Sequence, residues 1–436
     1  MSTAQTEGPP IPIEELGPPE EPDRPKGGLF YGWYVVATVF FVQTVACGLG
    51  FYNLSVFLKA FVSDGGFSVT AVSSANAAFF LSNGVAGLAV GWALDRYDPR
   101  ILITIGAIAC SAALAFAGHV GSLAELYLFY VLFGAGYAAT AVIPGTTIVA
   151  RWFSRQRSKA IAYASTGLSL GGIIFTPISV TLIQTLGLQH AAYWLAFMFI
   201  IGSIPVTWFF LRARPSDMGL APDGDPVVER HEHGGHLSDG VGFDIAIRSR
   251  FFIFCTIAFV FSMMAQVGAL AHQFRLIAER TDNDHMAALA VSLMAAGSIS
   301  GRLIGGWALS RVESKNYLVG VMVLQTFAYA LFAITYGSIP LVVVSIMFGT
   351  TVGNMQMMLP LIMAEAFGLR AYARILSLAQ MLITCANAFG PMVVGVLYER
   401  GGGYGVPFAF LVCMSAFGLI AMIAAGPAGV PTRKLG

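Results

Sequence analysis

Apolar residues run in long stretches along this chain, and most of the charged residues fall in the segments between them. Twelve stretches stand out, at about 31–58, 70–93, 101–118, 123–149, 159–184, 191–211, 251–274, 286–309, 317–336, 340–364, 373–397 and 407–427. Each reaches or approaches the roughly 20 residues that a helix needs to cross a ~30 Å hydrocarbon layer. They are too long and continuous for the alternating strands, about 10 residues each, of a membrane barrel. The pattern predicts an all-α membrane protein with twelve transmembrane helices.

Composition agrees. Hydrophobic residues make up 56% of the 436 positions and charged residues 11%, against about 25% charged in a soluble domain. The net charge of +1 gives no reason to expect nucleic acid as a partner; the lipid bilayer is the partner the composition implies. Where the charges fall is more telling. With the N-terminus inside, 19 Lys and Arg lie in inner segments and 4 (Lys59, Arg275, Arg280 and Arg400) in outer ones, leaving Arg302 within a span. That bias predicts cytoplasmic termini, and the cytoplasmic (plasma) membrane is the expected location. The five cysteines (Cys47, Cys110, Cys255, Cys385 and Cys413) all fall in apolar stretches, which argues against a disulfide framework.

The chain repeats itself at half length. "GWALDR" (91–96) returns as "GWALSR" (306–311), and Pro144 and Pro177 recur as Pro360 and Pro391 at offsets of 216 and 214. Two similar six-helix bundles follow, at 29–212 and 250–428, joined by a polar cytoplasmic linker at 213–249. The flanks 1–28 and 429–436 read as cytoplasmic tails, the first Pro- and Glu-rich without the apolar core of a cleavable signal. Parallel halves of this kind place a substrate site near the bilayer midplane, between them.

These residues carry a resemblance. "GWALDRYDPR" resembles the cytoplasmic signature of the major facilitator superfamily. "PGTTIVARWFSRQRSKAIAYASTGLSLGGIIFTPIS" (144–179) and "GRLIGGWALSR" (301–311) resemble its monocarboxylate and oxalate/formate branch. The resemblance covers about 30–430 and implies two bundles, alternating access, a monomer and no cofactor. It implies a secondary transporter of a small organic anion, most simply a monocarboxylate, coupled to H+ or a counter-anion. The rival within transport is an exporter of a neutral or drug-like solute. The rival outside it is a non-transporting membrane sensor. No segment pairs a nucleophile with a base, forms a dinucleotide loop or sets out metal ligands, so no enzyme is expected.

Arg302 is the outlying charge. A charge at a membrane-helix centre costs roughly 2.5–3.5 kcal/mol on insertion scales. In register with "GWAL", the first half carries Gly87 at this position, so the shared motif does without it. Two readings fit: a ligand for a carboxylate, which arginine grips with two parallel bonds, or a structural contact that includes snorkelling toward the inner surface. In the family the matching arginine binds the substrate carboxylate.

Other candidates line up around it. Ser298 is one turn earlier on the same face, where animal-type monocarboxylate porters place an acidic residue. Their helix-one lysine is also missing here, with Tyr52 or Asn53 near its place, and the eleventh helix lacks the lysine of dicarboxylate members. Tyr137 matches a fourth-helix tyrosine that offers its hydroxyl to substrate in the family. Gln43, Thr140, Gln266, Asn354 and Gln356 are further cavity candidates, as ready to bond between helices as to meet a ligand. His272 near the outer end of helix seven could relay a proton. Gly91, Asp95, Arg96 and Arg100, with Arg311 in the second half, form a candidate gating motif. Asp95 is placed to face a helix N-terminus or a basic partner across the half, and Ser310 replaces it in the repeat. "HEHGGH" (231–236) has metal-like composition without a second cluster, and no metal is expected.

Overall fold

A computed structural model describes residues 30–63, 65–224 and 240–427. The tails, "HEHGGH" and most of the rest of the linker lie outside the described residues. Eleven helical runs are long and apolar enough to span a membrane. One of them, Arg157–Phe210, has 54 residues, about 80 Å of helix against a ~30 Å hydrocarbon core. It cannot be a single crossing, and the chain turns within it at Gly187, whose φ of 74° suits a residue without a side chain. Dividing it there gives twelve crossings. They are α1 (Gly32–Ser63), α2 (Val69–Leu94), α3 (Pro99–Ala117), α4 (Leu123–Trp152), α5 (157–186) and α6 (188–210). The second half has α7 (Arg250–Thr281), α8 (Asp284–Ala308), α9 (Ser314–Ile334), α10 (Ser338–Phe367), α11 (Tyr372–Gly401) and α12 (Gly405–Ala424).

Three helices are interrupted, two of them at prolines. α4 breaks at Ala141 and α11 at Ala388, one turn before Pro144 and Pro391, which cannot donate to the carbonyls of Thr140 and Asn387. α1 widens into a π-turn over Cys47–Tyr52, a distortion often found at functional sites. Large apolar side chains such as Ile105, Ile304, Ile339 and Ile420 are exposed on the outer faces, as a lipid-facing belt requires.

The halves touch at one end and part at the other. α2 packs on the first half of α11, and α5 packs on α8. Asn53–Ser63 of α1 and Phe389–Gly401 of α11 pack chiefly within their own halves. Asp95, Gly91 and Arg374 lie at the joined end. The described ends of the linker are held against the helices. The Asp223 carboxylate accepts from the N–H groups of Ser154 (2.9 Å) and Arg155 (2.7 Å), and the Val241 N–H donates to the Phe367 carbonyl at 2.9 Å.

Candidate functional site

Glycines place Arg302. Helix α8 carries Gly297, Gly301 and Gly305, and α10 answers with Gly349 and Gly353. A methyl on Gly301 would stand 2.5 Å from the Thr350 carbonyl oxygen, and one on Gly353 would overlap the Ser298 carbonyl oxygen. The two backbones therefore meet directly, as small residues allow in membranes. This contact lays the Arg302 stem along α10 and aims its head at the boundary between the halves.

Arg302 is 1% exposed. Nε donates to the Gly353 carbonyl at 3.1 Å, Nη1 to Ser169 Oγ on α5 at 2.7 Å, and Nη2 to Gln356 Oε1. The head is buried between bundles rather than snorkelled to the inner surface. All three acceptors are neutral. A buried cation without a counter-charge carries a desolvation penalty of several kcal/mol even after relaxation.

Around it, Ser298 is 3% exposed and its hydroxyl has no hydrogen-bond partner among the described residues. The Tyr52 ring lies over Gly172, and its hydroxyl faces Ser169 and Arg302. The Tyr137 hydroxyl meets the Cys47 thiol at 2.9 Å, beside the π-turn of α1. Arg302, Ser298, Ser169, Gln356, Tyr52 and Cys47 thus cluster where the two halves meet, with Tyr137 joined to the cluster through Cys47.

Other candidates are used elsewhere. Asn53 donates to Ser179 on α5 at 2.7 Å. Gln266 accepts from Gln325 on α9 at 3.2 Å. Asn354 accepts from Tyr317 at 2.9 Å and lines a cleft of about 510 Å³ between α8, α9 and α10. Gln43 faces a small void with Thr140, and neither end of its amide has a partner among the described residues. His272 lies between Tyr404 (3.2 Å) and the Pro391 carbonyl (3.1 Å) at the far end of α7.

At the joined end, Asp95 accepts from Arg374 Nε at 2.8 Å. Arg374 is in the first turn of α11, so the carboxylate meets both a basic partner and a helix N-terminus. A methyl on Gly91 would stand 2.7 Å from the Ala373 carbonyl oxygen, so only glycine fits that approach. The other motif cations stay local. Arg96 and Arg311 stack 4.0 Å over Trp92 and Trp307, the same pairing in both repeats, and Arg100 sits 3.8 Å from Asp98.

Burial holds the Asp95 carboxyl above the usual range, opposed by Arg374 and more weakly by Arg151 and Arg96. The joined state therefore binds this proton more tightly than a state with Asp95 solvated. Falling pH through the carboxylate range favours the joined seam, and rising pH removes that contribution. Arg374→Ala leaves the charged carboxylate half-buried without its partner, which costs about 1–3 kcal/mol. The expected result is a roughly tenfold faster maleimide labelling of a Ser377→Cys reporter in the seam, narrowing as the pH falls.

Ser169, Cys47 and Arg374 are neighbours of the candidate residues that sequence reasoning did not single out. Ser169 sits between Gly167 and Gly171, small residues at a spacing that suits helix packing, and nothing in one sequence shows which helix they face.

Comparison with known proteins places the chain. The model of the Major Facilitator Superfamily matches residues 40–279. Monocarboxylate transporter 13 of Bos taurus is 28% identical over 408 residues, covering 90% of this chain and 89% of that protein. MFS transporter asaE of Aspergillus flavus is 24% identical, covering 89% and 84%. Among solved structures, FucP in its outward conformation superposes with a TM-score of 0.67 at 15% identity, covering 90% of this chain and 98% of that one. The chain is an integral membrane protein that belongs to the Major Facilitator Superfamily of transporters, within which it resembles the monocarboxylate transporters.

Proposed function

We propose that the protein moves a small organic anion, a monocarboxylate, across the plasma membrane by alternating access, with both termini in the cytoplasm. On this reading the joined end is cytoplasmic and the described state faces outward. The Asp95–Arg374 pair is then part of the inner gate. The observation that carries the reading is Arg302: one permanent cation, buried where the bundles meet, bonded only to neutral acceptors. A monocarboxylate supplies the missing charge and accepts two parallel bonds. One cation balances one carboxylate, and no second Lys or Arg lies deep within a span. The names of the relatives support the same class of cargo.

Ser298, one turn from Arg302 on the same helix, carries a hydroxyl without a partner among the described residues. Ser298→Ala is expected to raise the apparent KM for the anion about three- to tenfold, with unchanged thermal stability because the hydroxyl has no partner to lose. The reading itself is tested by uptake into proteoliposomes of labelled lactate, pyruvate, formate and oxalate beside neutral solutes, with and without a pH gradient. Uptake confined to neutral solutes overturns it.

A further inference from the structure

We infer that Ser169 is a positioning residue that holds Arg302 in reserve, and that the substrate carboxylate must displace it to unlock the α5–α8 seam. The inference rests on the carboxylate reading of Arg302. Of the three acceptors of the guanidinium, Gly353 and Gln356 belong to its own half and travel with it. Ser169 belongs to the other half: its Oγ, on a residue 5% exposed, accepts from Nη1 at 2.7 Å. This bond closes the boundary between the halves, beside the seam where a methyl on Gly306 would stand 2.6 Å from Ala162 Cβ.

Rocking the halves must break the Ser169 bond. In the empty carrier no counter-charge replaces it, and the cation crosses the rocking step with one bond fewer to the opposite half in a low-dielectric interior. In the loaded carrier the carboxylate has already taken that N–H, and a bond between two charged groups is stronger than one to a neutral hydroxyl. Occupancy therefore lowers the barrier to rocking, and the empty carrier stays joined at the Asp95 end. The functional consequence is that anion-for-anion exchange outpaces net movement, because only net movement requires the empty carrier to return.

Ser169→Ala separates this role from others. Alanine is a better helix former than serine, so the variant keeps α5, and thermal unfolding in detergent checks it. Binding of labelled L-lactate is expected to tighten about three- to tenfold, the worth of one hydrogen bond no longer competing. In proteoliposomes, lactate efflux into anion-free buffer rises toward the rate of exchange against external lactate, whereas in the wild type exchange is at least about tenfold faster. Weaker lactate binding makes Ser169 a direct substrate ligand and overturns the inference. An unchanged ratio of net to exchange flux also overturns it. If the wild type binds no monocarboxylate, or Arg302→Ala binds one normally, the reading of Arg302 fails first and this inference falls with it.

Discussion

Arg302→Ala is expected to abolish carboxylate binding and transport while leaving a folded protein. Truncating one partner of a buried, hydrogen-bonded charge pair costs about 2–5 kcal/mol, a loss of at least about thirtyfold in affinity. The fold should survive because removal takes away a buried charge rather than stranding one. What remains is a set of neutral acceptors, the Gly353 carbonyl, Ser169 and Gln356. Arg302→Lys keeps the charge but not the planar fork, and its compact ammonium cannot reach Gly353, Ser169 and Gln356 in one geometry. Lysine should therefore fall between wild type and alanine in lactate affinity. Equilibrium binding of labelled lactate to purified protein, with circular dichroism as the fold control, reads both effects. Normal lactate transport by the alanine variant sinks the carboxylate assignment.

The second large effect is expected at Gly353. A methyl there overlaps the Ser298 carbonyl oxygen and stands 3.0 Å from Arg302 Cγ. Two backbones in contact have no side chain to swing away, so Gly353→Ala must push α8 off α10. Overpacking of this kind typically costs about 1–3 kcal/mol, sometimes more. The same displacement carries the guanidinium away from the boundary between the halves, so transport should be lost beyond what the stability change explains. Gly320→Ala on α9 is the matched control, because an added methyl there meets nothing within 4 Å. Thermal unfolding should separate the two variants clearly. Equal tolerance of both would mean that the glycine seam does not position Arg302.

Much of this was legible in one dimension. Hydrophobic runs bounded the helices to within a few residues at many ends, because twenty apolar residues in a row have one stable use in a bilayer. Arg302 stood out because a permanent charge in such a run needs a partner. The pairing of neighbours did not follow. Gln266 on α7 and Asn354 on α10 have the same polar character as Gln356 on α10. Yet Gln266 turns to Gln325 and Asn354 to Tyr317, and only Gln356 reaches the guanidinium. Polar residues a few places apart on a helix differ in direction, and an isolated sequence does not reveal the rotation of the helix about its axis.

By itself the sequence determined the twelve spans, the twofold repeat and the position of the one charge that the membrane should have rejected. Those are local properties, written in the order of apolar and charged residues. Only the tertiary structure decided that Arg302 reaches Ser169, 133 positions away, and that Asp95 meets Arg374, 279 positions away. Both contacts join the two bundles, so they depend on how the bundles face each other and at which end they touch. That arrangement is set by backbone approach at glycines and by the packing of whole helices, and no pattern within either partner's own helix records it.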